Sequence, residues 1–267
     1  MQFWTLGVSA PRRAGEFGRR AEDAGWHGML VVDSQNLSGD AYVALTAAAL
    51  ATSNLGLGPG VTNSVTRHAA VTASAIASIQ KLSAGRAVLG IGRGDSALAH
   101  VGRAPARLGA FEAYLKNVQT YLRGGDVPFV DCGIDDAVAP DVEELELADT
   151  PSTSTISWLR QDPKVPVEVA ATGPKVIGIA ARHAERVMFT VGADVERLRW
   201  GIGTAEAAAR DANRDLSELA FGAYVNIVCH PNLETAQKLA RGGATLFARF
   251  SVCLLYTSDA DDARSSV

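Results

Sequence analysis

Residues Gly58 to Arg107 read GPGVTNSVTRHAAVTASAIASIQKLSAGRAVLGIGRGDSALAHVGRAPAR, and this stretch decides the fold. Its first residues finish an apolar run, Asn54–Val61, which predicts a strand with glycines at its tip. Ala69–Leu82 then carries apolar residues at helical spacing, and Ser83-Ala84-Gly85 supplies a helix stop. A second apolar run, Arg86–Gly92, follows at once and again ends in glycine. Strand, helix, strand in about forty residues is a βα unit feeding a parallel neighbour.

Outward from this stretch the same beat recurs. Phe3–Val8 predicts strand one and Pro11–Ala24 a helix with Ala14, Phe17, Ala21 and Ala24 on one face, stopped by Gly25. Gly28–Asp33 predicts strand two, followed by an alanine-rich helix over Asp40–Ala51. After strand four, Leu108, Phe111, Leu115, Val118 and Leu122 mark a further helix. Strands five to seven are expected at Pro166–Ala171, Arg186–Val191 and Leu219–Cys229. Helices follow over Pro174–Ala184, Val195–Ala212 and Leu233–Phe250.

This predicts an α/β fold, a TIM (β/α)₈ barrel truncated after the seventh βα unit. Residues 1–250 read as a single barrel domain with an excursion at 124–163, rich in Asp, Pro, Ser and Thr and placed to close over a substrate. Residues 251–267 change character and read as a non-native or disordered tail.

Composition narrows the function classes. The net charge of −4 offers no polybasic field for nucleic acid or anionic lipid. Cys132, Cys229 and Cys253 are far apart and form no disulfide framework or metal clip, which fits the cytoplasm. The apolar stretches are too short to span a bilayer, so no membrane segment is expected. The histidines have no metal-ligand spacing, and His68 lies near the mouth because it follows the strand-three tip. A nucleophile elbow and a P-loop are absent.

In such barrels chemistry sits at the C-terminal ends of the strands. Strand two ends in Asp33-Ser34 and strand three in Gly58-Pro59-Gly60-Val61-Thr62-Asn63. Glycines there permit close approach of a flat ligand, or simply make a tight turn. Strand four ends in Gly90-Ile91-Gly92-Arg93-Gly94-Asp95-Ser96. Its glycine spacing does not match a dinucleotide fingerprint, and the residues after it do not predict a helix in the right place. Arg93 there can grip a phosphate bidentately or pair with Asp95 on the surface. Strand five ends in Thr172-Gly173-Pro174-Lys175, where free amides at a helix start suit an anion or merely cap the helix.

Two blocks, Gly58–Arg107 and Val167–Phe189 (VEVAATGPKVIGIAARHAERVMF), are similar to the luciferase-like superfamily. They most resemble its branch of methylenetetrahydromethanopterin reductase-type, deazaflavin-dependent enzymes. The resemblance implies a flat isoalloxazine-type ring against a bulge after strand three, with a cis peptide at Gly60–Val61. It implies Asp33 and Asn63 as neighbours of the ring, Gly94 and Asp95 as contacts to its side and ribityl chain, and Thr172, Gly173 and Lys175 at the phosphate. Arg93 departs from the reductases and resembles the arginine with which true luciferases reach the FMN phosphate.

The cofactor implied is therefore a deazaflavin or FMN. The implied function is an oxidoreductase passing a hydride between that cofactor and a small organic substrate. An FMN-dependent monooxygenase and a non-catalytic cofactor-binding barrel are the alternatives. No proton donor is assigned; Asp33 and Asp95 are the candidates. The reductases carry a glutamate on strand one, where this chain reads Phe3-Trp4-Thr5-Leu6, so Trp4 and Thr5 point to a more apolar substrate. Ser34 replaces the histidine that sugar-phosphate dehydrogenases of the superfamily place after the aspartate. Barrels of this superfamily commonly pair, so a homodimer is expected.

Overall fold

The computed structural model of the protein describes residues 1–146, 148–159 and 163–252. The chain divides into two compact units, the first over Met1–Pro166 and the second from Val167 onward.

In the first unit, strands β1 (Trp4–Gly7), β2 (Gly28–Val31) and β3 (Gly56–Pro59) form a parallel sheet in that order. Helices α1 (Pro11–Asp23) and α2 (Ala41–Ala51) connect them and pack on each other. α1 starts on Pro11, whose missing amide hydrogen costs nothing in a first helical turn. α2 starts where the Asp40 carboxylate accepts from the amides of Tyr42 at 2.8 Å and Val43 at 3.1 Å. Being apolar nearly all round, α2 buries Ala41, Ala44, Leu45 and Ala48 completely.

The expected third strand is broken. β3 stops at Pro59, the chain bends at Gly60 and Val61, and a two-residue strand β4 (Thr62–Asn63) pairs in parallel with β5 (Leu89–Gly92). The interruption is a main-chain event that an apolar pattern does not encode. Helix α3 (Ala69–Leu82) follows, capped at its start by His68 Nδ1, which accepts from the Ala70 amide.

Arg86 locks the lower end of this region. Its guanidinium donates to the carbonyls of Ala49, Thr52, Leu55 and Ser83, satisfying backbone oxygens left over at two helix ends. Glu22 does the reverse, accepting from the amides of Ser53 at 3.0 Å and Leu55 at 2.9 Å.

A four-residue helix α4 (Ser96–Ala99) opens directly after the Gly92–Asp95 turn. The expectation that no helix starts there is therefore corrected; the glycine spacing alone separates this turn from a dinucleotide fingerprint. α5 (Leu108–Leu122) buries Phe111, Leu115, Val118 and Leu122, the residues its period predicts.

Among its described residues the excursion holds short 3-10 turns at Phe129–Asp131 and Val142–Leu145 and an antiparallel bridge, Val127 with Ser154. It is tethered to α3 and α5. Tyr121 Oη donates to Ser154 Oγ at 2.7 Å, Asn117 Nδ2 to the Asp131 carbonyl at 2.6 Å, and Lys81 lies 4.7 Å from the Trp158 ring.

In the second unit, β6 (Val167–Ala171), β7 (Arg186–Phe189) and β8 (Ala220–Ala223) are parallel, joined by α6 (Pro174–His183) and α7 (Val195–Asp211). One sheet face carries Val167, Val169, Ala171, Val187 and Phe189 against these helices. The other carries Glu168, Thr172, Arg186, Thr190 and Tyr224. β8 ends at Ala223, earlier than the strand expected to reach Cys229, and α8 (Leu233–Val252) closes the described chain. Of the tail expected over 251–267, Ser251 and Val252 belong to α8 and the rest lies outside the described residues.

Candidate active site

The parallel registers of the first unit bring the expected residues to one end. Gly7 lies beside Val31 and Val31 beside Pro59, while Thr62 lies beside Ile91 and Asn63 beside Gly92. Asp33, Gly60, Val61, Asn63, Arg93, Gly94 and Asp95 thus leave four neighbouring strand tips on the same side. The Gly60–Val61 peptide is cis, as the family resemblance implies.

Gly60 and Val61 are half-buried between buried Pro59 and Thr62, so a short ledge at these two residues stays accessible amid closed strand ends. The Gly60 amide donates to the Val31 carbonyl at 2.7 Å. A Cβ on Gly60 would fall 2.7 Å from Leu30 Cβ, and one on Gly58 would fall 2.3 Å from the Val88 carbonyl oxygen. Close strand packing therefore already demands both glycines, whatever lies on the ledge.

The polar wall of the ledge is built on Asp33, whose side chain is buried. One of its oxygens, Oδ2, accepts from Thr62 Oγ1 at 2.7 Å and from Arg67 Nη1 at 2.5 Å. Among the described residues the other oxygen, Oδ1, holds no hydrogen bond. Arg67 turns its second terminal nitrogen to Asp40 Oδ2 at 2.7 Å and lies 4.9 Å from the Tyr42 ring centroid. Burial works against the Arg67 charge, but Asp33, Asp40 and the Tyr42 ring offset it, and the guanidinium is held above its ordinary range.

Burial, reinforced by the Asp33 charge, pushes the Tyr42 phenol well above its usual range. Tyr114 shares a 2.7 Å hydrogen bond with Thr72 Oγ1 and donates to the Arg67 carbonyl at 3.0 Å. Its own phenol is pushed up to about 12, chiefly by burial.

The remaining expected residues in this unit differ in what they do. Asn63 uses its carboxamide internally, accepting from the amides of Val65 and Thr66 and donating to Thr66 Oγ1. It shapes the turn that delivers Arg67. Gly94 has φ +83°, and a Cβ there would fall 2.7 Å from Leu98 Cδ1 and 3.1 Å from Asn63 Cβ. Asp95 begins α4 without capping it through its side chain. Arg93 Nε donates to the Ala106 carbonyl at 2.6 Å, so this arginine also ties the loop from 93 to 106.

Trp4 is a correction. Its indole covers Gly28 and Gly56, where a Cβ would fall 2.3 Å and 2.5 Å from ring atoms. Those glycines are the first residues of β2 and β3, so Trp4 packs at the opposite end of the strands from the ledge. It plugs the lower sheet and does not line the wall.

In the second unit the β6 tip carries Thr172, whose hydroxyl shares a 2.5 Å hydrogen bond with that of Thr190 on the neighbouring strand end. Gly173 stands at the N-cap of α6 with no side-chain cap, Pro174 takes the first helical position, and Lys175 follows it. Thr172 and Gly173 are half-buried.

Sequence reasoning missed Arg67, Asp40, Tyr42, Tyr114 and Thr62. One signal was present: an arginine four residues after the strand-three tip, ahead of His68. What it pairs with lies 27 and 34 residues away in sequence, and only folding brings the partners together.

The family model for luciferase-like monooxygenases matches residues 3–265. The chain belongs to that family. It is 27% identical over 217 residues to the 5,10-methylenetetrahydromethanopterin reductase of Methanolobus tindarius, which covers 78% of this chain and 59% of that protein. Over 75 residues it is 49% identical to the corresponding reductase of Archaeoglobus fulgidus, covering 28% of this chain and 22% of that protein.

Among solved structures it resembles the coenzyme F420 dependent tetrahydromethanopterin reductase from Methanopyrus kandleri. The TM-score is 0.73 at 23% identity, over 92% of this chain and 71% of that one. It also resembles an F420-dependent secondary alcohol dehydrogenase, with a TM-score of 0.72 at 19% identity, over 100% of this chain and 82% of that one. The fold is that of the luciferase-like TIM barrels, with seven βα units among the described residues. The chain spans less than two thirds of the length of the first of these relatives. Among the described residues no helix is long and apolar enough to cross a membrane.

Proposed function

We propose that this chain is an oxidoreductase that binds a flavin or deazaflavin and passes a hydride between it and a small organic substrate. The observation that carries the reading is the accessible Gly60–Val61 ledge beside the buried Asp33–Thr62–Arg67 wall. A flat ring has somewhere to lie, and the wall offers Asp33 Oδ1 as an acceptor at its edge. The relatives are named for reactions of this kind, and the solved neighbours for the deazaflavin coenzyme F420.

When bound, the ring supplies the hydride chemistry; the protein supplies position, polarity and dryness. Gly60 and Val61 support the ring, and Gly94 and Asp95 contact its side. Asn63 acts through the turn it builds. Asp33, whose Oδ2 accepts from Thr62 and Arg67, is assigned as an acceptor through Oδ1, and the proton donor is left unassigned. For a cofactor phosphate each unit has its own candidate holder: Arg93 in the first, and the Thr172, Gly173 and Lys175 turn in the second.

The second reading is an FMN-dependent monooxygenase, favoured by the arginine at position 93. Titration with FMN and with coenzyme F420 separates the two: tight binding of only one decides the cofactor, and binding of neither defeats both readings. Arg93→Ala is expected to weaken FMN by about 1.5–3 kcal/mol, through loss of a charged hydrogen bond, and to leave riboflavin, which has no phosphate, unaffected. Equal losses for FMN and riboflavin would assign Arg93 to its loop alone. The substrate and a homodimeric assembly complete the proposal.

A further inference from the structure

We infer that Arg67 is a positioning residue of the ring-binding wall, which it serves by bridging Asp33 and Asp40 and by keeping the wall receptive to an electron-rich ring. The inference rests on the reading that the ring lies beside Asp33.

Three features set this arginine apart from a surface ion pair. Its side chain is 18% exposed and that of Asp33 only 2%, so solvent screening is weak where the two meet. Its two terminal nitrogens go to carboxylates on different elements, Asp33 after β2 at 2.5 Å and Asp40 at the start of α2 at 2.7 Å. It is also gripped from below and behind, by the Tyr42 ring and by the Tyr114 hydroxyl on its carbonyl. A planar fork spans two acceptors in this way, whereas a lysine ammonium, a compact point charge, does not.

Two consequences follow for a ligand on the ledge. The first is geometric. Arg67 and Thr62 together occupy Asp33 Oδ2, which fixes the carboxylate and leaves Oδ1 as the acceptor. The second is electrostatic. Asp33, Asp40 and Arg67 sum to −1; without the guanidinium the same wall carries −2. Reduction adds electron density to a flavin-type ring, so the more negative wall disfavours the reduced form more than the oxidised one. A residue that only braced the start of α2 would treat both forms alike.

The test uses the full chain and whichever probe, FMN or coenzyme F420, the wild type binds. For Arg67→Met, Arg67→Lys and Asp40→Asn, affinity for the oxidised probe is read by fluorescence, and the midpoint potential of the bound probe by spectroelectrochemistry. Arg67→Met is expected to bind the reduced probe at least tenfold more weakly relative to the oxidised one, a fall of about 30 mV for a two-electron couple. Arg67→Lys keeps the charge and loses the fork, so it holds that ratio within about twofold while oxidised affinity drops several-fold.

Asp40→Asn preserves the helix cap, since Asn and Asp cap equally well, and removes one negative charge. Its potential moves in the opposite direction, upward. Asp40→Asn carries the test even where Arg67→Met does not fold. Potentials unchanged in every folded variant, a downward shift in Asp40→Asn, or an upward shift in Arg67→Met overturns the inference while leaving cofactor binding intact. A wild type that binds neither probe instead removes the cofactor reading, and this inference with it.

Discussion

Asp33 and Glu168 are both buried carboxylates facing an arginine, and they differ in how well that arginine answers them. Asp33, at a strand tip of the first unit, accepts from Arg67 at 2.5 Å and from Thr62 at 2.7 Å. Glu168, inside the second unit, has Arg186 at 3.6 Å and a Tyr224 hydroxyl at 3.3 Å. There burial wins: desolvation pushes the Glu168 carboxyl above its ordinary range despite Arg186 and Tyr224. Burying a carboxylate is expensive in both places, and the donors that answer it are shorter at the first. One polar cluster is built to hold a charge in a fixed place. The other holds its carboxyl above the ordinary range.

The largest expected effect tests the first half of that contrast. Arg67→Met leaves Asp33 buried without its cation and should lower unfolding free energy by about 3–5 kcal/mol, read from urea denaturation at neutral pH. A loss under about 1 kcal/mol would mean that Arg67 contributes no more than a surface pair, and the comparison with Arg186 would lose its meaning.

A smaller effect concerns the backbone beneath the same tip. Gly94→Ala forces an alanine to φ +83° and pushes its methyl into Leu98 and Asn63, with an expected cost of about 2–3 kcal/mol. Gly173 in the second unit has φ −97°, which any residue adopts, so Gly173→Ala should cost about 0.5–1 kcal/mol, the ordinary difference at an N-cap. Equal losses in thermal unfolding would erase the difference between a tip glycine at positive φ and one in ordinary extended backbone.

The smallest effect sharpens the Glu168 side. A carboxyl whose folded value is raised binds an extra proton in the folded state between its unfolded and folded values. The stability tied to that proton is present at low pH and is lost as pH rises from the ordinary carboxylate range through the raised folded value. Glu168→Gln removes that dependence, so its Tm should gain on the wild type by roughly 2–4 °C as pH rises from 4.5 to 8. A gap that shrinks over this range would reverse the assignment.

Much of the fold was legible because apolar periodicity and glycine stops report burial locally. The helix over Ala69–Leu82 and the buried face of α5 appear where their spacing places them. The broken third strand and the one-turn helix at Ser96 were not legible, since each depends on main-chain geometry at one or two residues. Trp4 misled for a related reason: a strand residue points to the same face at either end, and the sequence does not say which end the chemistry occupies.

By itself the sequence determined the βα rhythm, the strand tips at Asp33, Gly60 and Gly94, and the likeness to luciferase-like barrels. All of these are set by residues adjacent in the chain. Only the tertiary structure decided that Arg67 joins Asp33 to Asp40, that Asn63 turns inward, and that the indole of Trp4 seals the far end. Each of these depends on which donors and acceptors meet across the sheet. Hydrogen bonds and ion pairs act over a few ångströms of space, however far apart in sequence their partners lie.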